Sequence, residues 1–196
     1  TPFIPKDTLI ATSGCQTDCH ALKLILQHYH SHQSSSSSLT VNEVAHALSS
    51  RLYSRRMRPY YVFCVVGGLD PDTGVGRAYV YDAIGSMEEV AVATNGVNGK
   101  ELLQPILDRM FVTSNDHDHD HDNDRDQTIP LPGPIGVFPK VVPTIVRGTA
   151  EEAIEKVKQA YHAVAEREIS VGDSLVICVL QKGRGCRTVR VPLKEH

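Results

Sequence analysis

Tyr60-Tyr61-Val62-Phe63-Cys64-Val65-Val66, followed by Gly67-Gly68, is the stretch that decides how this chain is read. Seven apolar residues in a row, rich in aromatic and β-branched types, suit a strand and fall far short of the ~20 that span a bilayer. An unbroken run of this kind predicts a strand covered on both faces. Gly67-Gly68 and the segment 70–76 read as turns, Arg77–Asp82 (RAYVYD) as a second strand, and Glu89–Thr94 as a third after Ile84-Gly85-Ser86. Strands in succession with short turns predict an antiparallel meander.

Outward from this centre the period changes. Upstream, Asp7–Thr12 reads as a strand broken by Ser13-Gly14, and Cys15–Tyr29 as a helix with Leu22, Ile25, Leu26 and Tyr29 on one face. The serine-rich segment 33–39 is a polar connection. Thr40 and Glu43 form a capping box for a helix whose stripe is Val41, Val44, Ala45, Leu48 and Leu52. Downstream, Asn98 with Glu101 opens a third helix containing Pro105, which is expected to kink it. Thr149 and Glu152 open a fourth, with Ile154, Val157, Tyr161 and Val164 inward. Leu175–Leu180 reads as a buried strand, Lys182–Gly185 as a hairpin turn and Cys186–Val191 as an alternating strand. The order, with helices clustered in pairs, is a layered arrangement rather than the strict alternation of a Rossmann sheet.

The 196 residues form one domain carrying one foreign segment. Residues 112–148 hold the His117/His119/His121 tract and then a proline-rich run without core periodicity, and read as a surface insertion. Its stretch Asp116–Asp126 has a local charge of −5 against −3 for the whole chain, so the remainder is at +2. A chain of this balance is not a nucleic-acid binder held by phosphate contacts. Five cysteines at irregular spacing suit free thiols in a reducing compartment. Thr1–Pro5 has no basic region followed by an apolar stretch, so no signal peptide is read there. The first residue is not Met, and the chain reads as cut from a precursor or begun partway through a domain.

Few residues point to chemistry. The alternating histidines at 117, 119 and 121 have metal-ligand character, but a solvated tract lacks the second shell that fixes ligands. His28, His30 and His32 read as a solvated helix end. Cys15, Cys19 and His20 have no second pair at zinc-finger distance and read as packing or inert thiols. Arg51, Arg55, Arg56 and Arg58, interleaved with Tyr53, Tyr60 and Tyr61, have the composition of an interface or a nucleic-acid patch, and the acidic balance of the chain favours a protein–protein interface, with Tyr53, Arg55, Arg56, Tyr60 and Tyr61 as its candidate contacts.

Longer segments resemble a known family. Ser49–Arg56 (SSRLYSRR), Arg58–Val62 (RPYYV), Gly67–Asp70 (GGLD), Tyr81–Ser86 (YDAIGS), Leu103–Asp108 (LQPILD), Ala165–Glu168 (AERE) and Gly172-Asp173 are collinear with the proteasome β subunits, in the class at the sixth position of the β ring. The resemblance implies an α+β fold, the four-layer αββα sandwich of N-terminal-nucleophile hydrolases. Its register places the hairpin bearing the family's nucleophilic threonine, acid and lysine upstream of Asp7, so that the domain here lacks its first β-hairpin and Thr1 is not the nucleophile. Gly14 matches the glycine whose N–H forms the oxyanion hole. The serine of the family's Gly-Ser-Gly turn becomes Asn98, an aspartate becomes Glu168, and a further serine becomes Val171, which has no hydroxyl to relay a proton. The resemblance therefore implies a non-catalytic subunit of the 20S core particle, assembled with other α and β subunits in stacked seven-membered rings, in cytoplasm and nucleus. No cofactor is required; a structural cation on the backbone carbonyls of Ala165, Glu168 and Val171 is an expectation from the family. The alternatives are an active threonine-type endopeptidase subunit whose N-terminal threonine hairpin is absent from this sequence, and a metal-binding module built on the histidine tract.

Overall fold

The computed structural model describes residues 8–33, 39–111 and 148–194. The N-terminal residues, the serine run 34–38 and the segment 112–147 lie outside the described residues, and with them the insertion and the histidine tract.

Strand β1 (Thr8–Gly14) leads into helices α1 (Gln16–Gln33) and α2 (Val41–Ser54). Three strands follow, β2 (Val62–Leu69), β3 (Gly76–Tyr81) and β4 (Met87–Val90), then helices α3 (Lys100–Phe111) and α4 (Ala150–Ala165), then strands β5 (Ser174–Gln181) and β6 (Gly185–Pro192). The first sheet has the order β1-β2-β3-β4, antiparallel throughout, and β5 pairs with β6 in a two-stranded sheet. The meander read from the centre of the sequence is present, with β1 added beside β2.

The central strand differs from its reading in two ways. It continues through Gly67 and Gly68, which pair with Leu9 and Thr8 of β1 and with Ala78 and Arg77 of β3. These glycines are strand residues rather than a turn: with a neighbour on each side, the ladder holds them extended despite their weak strand preference. Burial along β2 also alternates, with Val62, Cys64 and Val66 buried and Phe63, Val65 and Gly67 only half covered. The apolar run alone could not distinguish these two cases. Strand β4 ends at Val90, earlier than the Glu89–Thr94 reading. Past it, Thr94 turns its amide and hydroxyl to Gln104 Oε1 at 2.6 and 2.9 Å instead of to a neighbouring strand.

One face of the first sheet is closed by α1 and α2. Val41, Val44, Ala45, Leu48 and Leu52, the stripe read from the sequence, are the residues α2 buries. They pack with Leu22 and Leu26 of α1 and with Ile10, Val62, Cys64, Val66, Tyr79 and Tyr81 of the sheet. Tyr29 does not join them: it is 42% exposed, one helical turn beyond Leu26. The Tyr81 hydroxyl donates to the Ala45 carbonyl at 2.9 Å, tying strand to helix inside the core, and burial raises its pKa. At the far end, Arg77 bridges Asp70 (3.3 Å) and Glu89 (2.8 Å) across the turn and β4.

A second core joins α3 to α4 through Leu103, Leu107, Ala160 and Val164, with Tyr161 and Val171 against them. Both capping boxes are formed, Thr40 with Glu43 and Thr149 with Glu152. Helix α3 starts one residue later than read, at Lys100, with the Gly99 carbonyl accepting the N–H groups of Leu102 and Leu103. Pro105 lies inside it and brings no N–H for the Glu101 carbonyl. Helix α4 lies against β5, and β5 meets β2. Strand β5 is less buried than its apolar sequence suggested: Leu175 is covered, but Val176 is 52% exposed, because among the described residues only β6 pairs with it. No helix among the described residues is long and apolar enough to cross a membrane.

Candidate functional site

Gly14, Asn98, Glu168 and Val171 stand far apart in sequence, and the fold brings their segments to one place. Gly14 ends β1 with φ +127°, a conformation that L side chains rarely adopt. A Cβ there would overlap the Tyr61 carbonyl, so backbone packing as well as conformation requires glycine. Its successor Cys15 donates its N–H to that same carbonyl at 2.8 Å and accepts from Cys19 N–H at 2.9 Å, which starts α1 immediately after the strand.

The loop before α3 meets this corner. Asn95 fixes it by donating from Nδ2 to the carbonyls of Cys64 (2.9 Å) and Tyr81 (2.8 Å), while its Oδ1 accepts the Gly96 N–H at 3.0 Å. A Cβ built on Gly96 would stand 3.6 Å from Ser13 Oγ, beside Gly14, and 3.8 Å from the Asn98 carbonyl. Gly99, at φ +78°, then faces the end of α4: its Cβ position is 3.0 Å from Val171 Cγ2 and 3.8 Å from Glu168 Cγ. The chain reaches that point by a tight turn after α4, in which Val164 O accepts from Arg167 and Glu168, and Glu168 O accepts from Val171 at 3.1 Å.

The chemistry at this junction is limited. Glu168 accepts from the Ser170 hydroxyl at 2.7 Å and from its amide at 3.1 Å. Those bonds, with Lys194 nearby, hold its carboxyl below the usual glutamate range, so at neutral pH it is an engaged carboxylate rather than a base. Val171 presents methyl groups to Gly99 and packs with the second core. Asn98 is exposed. Ser13, Asn95, Gly96, Ser170 and Lys194 belong to the junction but were not singled out in the sequence. Ser170 had a local signal, a hydroxyl two residues from a carboxylate. The others are set by contacts between segments and had none.

The remaining candidates lie elsewhere. Tyr53, Arg55, Arg56, Tyr60 and Tyr61 form one continuous segment at the end of α2 and before β2. Arg56 stacks over Tyr53 at 4.6 Å from its ring centre, and Arg55 over Tyr60 at 5.5 Å. Tyr61 is 56% exposed and meets Phe63 edge-on. Cys19 packs against the first core, whereas Cys15 is exposed, with its thiol lowered by the Thr17 hydroxyl and by the amides of Asp18 and Thr17. Cys15 therefore ionises more readily than a free thiol. Among the described residues no group of three His, Cys, Asp or Glu side chains is placed to hold a metal.

Comparison with known proteins joins these segments to one lineage. A family model described as "Proteasome subunit" matches residues 4–123, more than half of the chain. The chain belongs to the proteasome subunit family. A proteasome subunit beta type-1-B of Carassius auratus is 31% identical over 191 residues, covering 96% of this chain and 69% of that protein. A proteasome subunit beta type-1 of Arabidopsis thaliana is 33% identical over 194 residues, covering 95% and 74%. A proteasome subunit beta type-6 of Saccharomyces cerevisiae is 31% identical over 144 residues, covering 74% and 52%. These agree with the family and class that the sequence resembles. The proteasome family has the N-terminal-nucleophile hydrolase fold and forms a threonine protease complex, and its mixed helix and sheet content is that of the fold described above.

Proposed function

We propose that this chain is a non-catalytic β subunit of the 20S core particle, completing a seven-membered ring and walling the degradation chamber while neighbouring subunits cleave. Its relatives carry the name beta type-1, and membership of the family implies assembly with other proteasome subunits. The observation that carries the non-catalytic reading is Val171, an apolar side chain at the point where Gly99 and Glu168 converge. A serine hydroxyl there would take part in moving a proton or holding an amine; a methyl group does neither. Glu168, engaged by Ser170, is likewise occupied. The four-layer αββα arrangement belongs to the same reading, supported by α1 and α2 on the first sheet, by β2 meeting β5, and by α4 against β5.

In this reading Tyr53, Arg55, Arg56, Tyr60 and Tyr61 contact a ring neighbour, and the protein resides in cytoplasm and nucleus. No cofactor serves a reaction. A structural cation on the carbonyls of Ala165, Glu168 and Val171 would suit a hard, oxygen-preferring ion, since the hydrogen bond from Val171 uses one of the two lone pairs on the Glu168 carbonyl.

The test is covalent labelling of an assembled core particle containing this chain, using an inhibitor directed at N-terminal threonines. Intact mass is expected to show adducts on active β subunits and none on this one. An adduct on this chain would establish the active-peptidase alternative.

A further inference from the structure

The hairpin of β5 and β6 carries two cysteines that belong to neither core cluster. Cys178 pairs with Thr188 and Leu180 with Cys186, so Cys178 and Cys186 are diagonal neighbours on adjacent strands. Residues two apart on a strand share a face, and directly paired residues point to the same side. Both thiols therefore stand on one face, together with Val176, Thr188 and Arg190. The other face carries Leu175, which is buried, and Arg187, which reaches Glu151 of α4 at 3.4 Å. The cysteine face is thus turned away from α4. Among the described residues it is open: Val176 is 52% exposed, Cys186 is exposed and Cys178 is half-buried.

Two neighbouring thiols either join in a disulfide or grip an ion, and their spacing favours the second. Diagonal partners in an antiparallel pair have Cα atoms about 7–8 Å apart, whereas a disulfide beyond about 7 Å requires the backbone to move. One atom held between the sulfurs spans that gap without movement. The sulfurs do converge. Partial burial and the adjacent Cys178 raise the Cys186 thiol, and Cys178 Sγ lies 4.0 Å from the Thr188 hydroxyl.

The charge of the hairpin narrows the choice of ion. Residues 174–192 hold Lys182, Arg184, Arg187 and Arg190 and no Asp or Glu. On the cysteine face, Arg190 donates from Nε to Ser174 Oγ at 3.2 Å, and no carboxylate among the described residues is ion-paired with it. Such a field favours a complex with net negative charge. Two thiolates are neutral around a divalent ion and remain anionic around a monovalent one. Zinc also asks for four ligands, and among the described residues no group of three His, Cys, Asp or Glu is placed to hold a metal. Thiolates select the soft ion Cu(I), whose closed shell accepts two sulfurs in line.

We propose that Cys178 and Cys186 form a two-coordinate site for a soft monovalent cation, Cu(I), which bridges β5 to β6. Binding replaces two S–H bonds by two S–Cu bonds and releases both protons to solvent. Copper stays Cu(I), and no electron is transferred. Arg190 and the turn cations Lys182 and Arg184 offset the negative charge of the complex. Among the described residues β6 pairs with β5 alone, so the bridge fastens the hairpin along its one ladder. The site lies apart from the junction of Gly14, Asn98, Glu168 and Val171 and does not depend on the core-particle reading.

The test isolates the tagged chain, reduced and without oxygen, together with the subunits that accompany it. A brief pulse of iodoacetamide is applied with and without one equivalent of Cu(I), given as its acetonitrile complex in the presence of excess glutathione as a competing monothiol. Peptide mass spectrometry then reads each cysteine. Cu(I) is expected to slow labelling of Cys178 and Cys186 together by about tenfold, and Zn(II) to leave it nearly unchanged. Cys186→Ser is expected to abolish protection of Cys178, and Cys178→Ser that of Cys186. Equal labelling with and without Cu(I) would overturn the proposal, as would protection of either thiol that survives loss of the other. Thiols that resist iodoacetamide before copper is added would also overturn it, because the face would then be closed in the assembled protein. A linked peptide pair that forms without copper and opens with dithiothreitol would make the two cysteines a disulfide and refute the site.

Discussion

Cys64 shows how one position can be legible in kind and illegible in consequence. Its place in an apolar run marks it as a strand residue, but only the packed sheet and helices explain why its thiol is pushed up to about 12, by burial and by Cys19 beside it. An unfolded thiol ionises near 9, so above that pH the unfolded chain loses a proton that the folded chain keeps. Stability from this group is complete below pH 9 and falls as pH rises toward 12, by up to ~1.4 kcal/mol per pH unit. Tyr81, raised in the same direction, adds to the fall. Urea midpoints of the assembled-competent protein are expected to drop across this window, and Cys64→Val to flatten part of the drop; an unchanged pH profile in the variant would refute the assignment. The same burial makes Cys15 the thiol that an alkylating reagent reaches before Cys64.

At the scale of elements, the helices were the most legible part of the sequence. Thr40 with Glu43 and Thr149 with Glu152 announced two helix starts because a capping box is a local device, closed within four residues. Thr149→Ala is expected to cost about 1 kcal/mol, as is Thr40→Ala, measured as a shift in the denaturation midpoint. Hydrogen bonds from Thr40 hold Glu43 below the ordinary glutamate value of 4.5, so its contribution is present above that pH and lost as pH falls through the lowered value. The strands were less legible. Gly67 and Gly68 read as a turn because glycine pairs usually make one, and they are strand because β1 and β3 clamp them from both sides. Glu89–Thr94 read as a full strand, but Thr94 is claimed by Gln104.

Across the whole molecule, order should follow the number of partners each strand has. Strand β2 is paired on both sides and buried on its α-helical face, whereas β6 pairs with β5 alone among the described residues and is largely exposed. Amide hydrogen exchange is expected to be slowest along Val62–Val66 and much faster along the edge of β6. Equal protection of the two strands would show that β6 is covered by a further element. The candidate junction behaves in the same way. Family resemblance marked Gly14, Asn98, Glu168 and Val171, but Ser13, Gly96 and Lys194 could be found only when three separate segments were brought together.

What the sequence determined by itself was local: the helix starts, the buried stripe of α2, the meander and the collinear segments that resemble proteasome β subunits. Each is written within a few neighbouring residues or in their order along the chain. The tertiary structure alone decided that Gly67 and Gly68 are extended, that Tyr29 faces outward, that Val171 meets Gly99, and that Arg51 has a buried nitrogen with no acceptor among the described residues. These depend on which distant groups share space, because burial and the hydrogen bonds that must compensate it are properties of the packed arrangement.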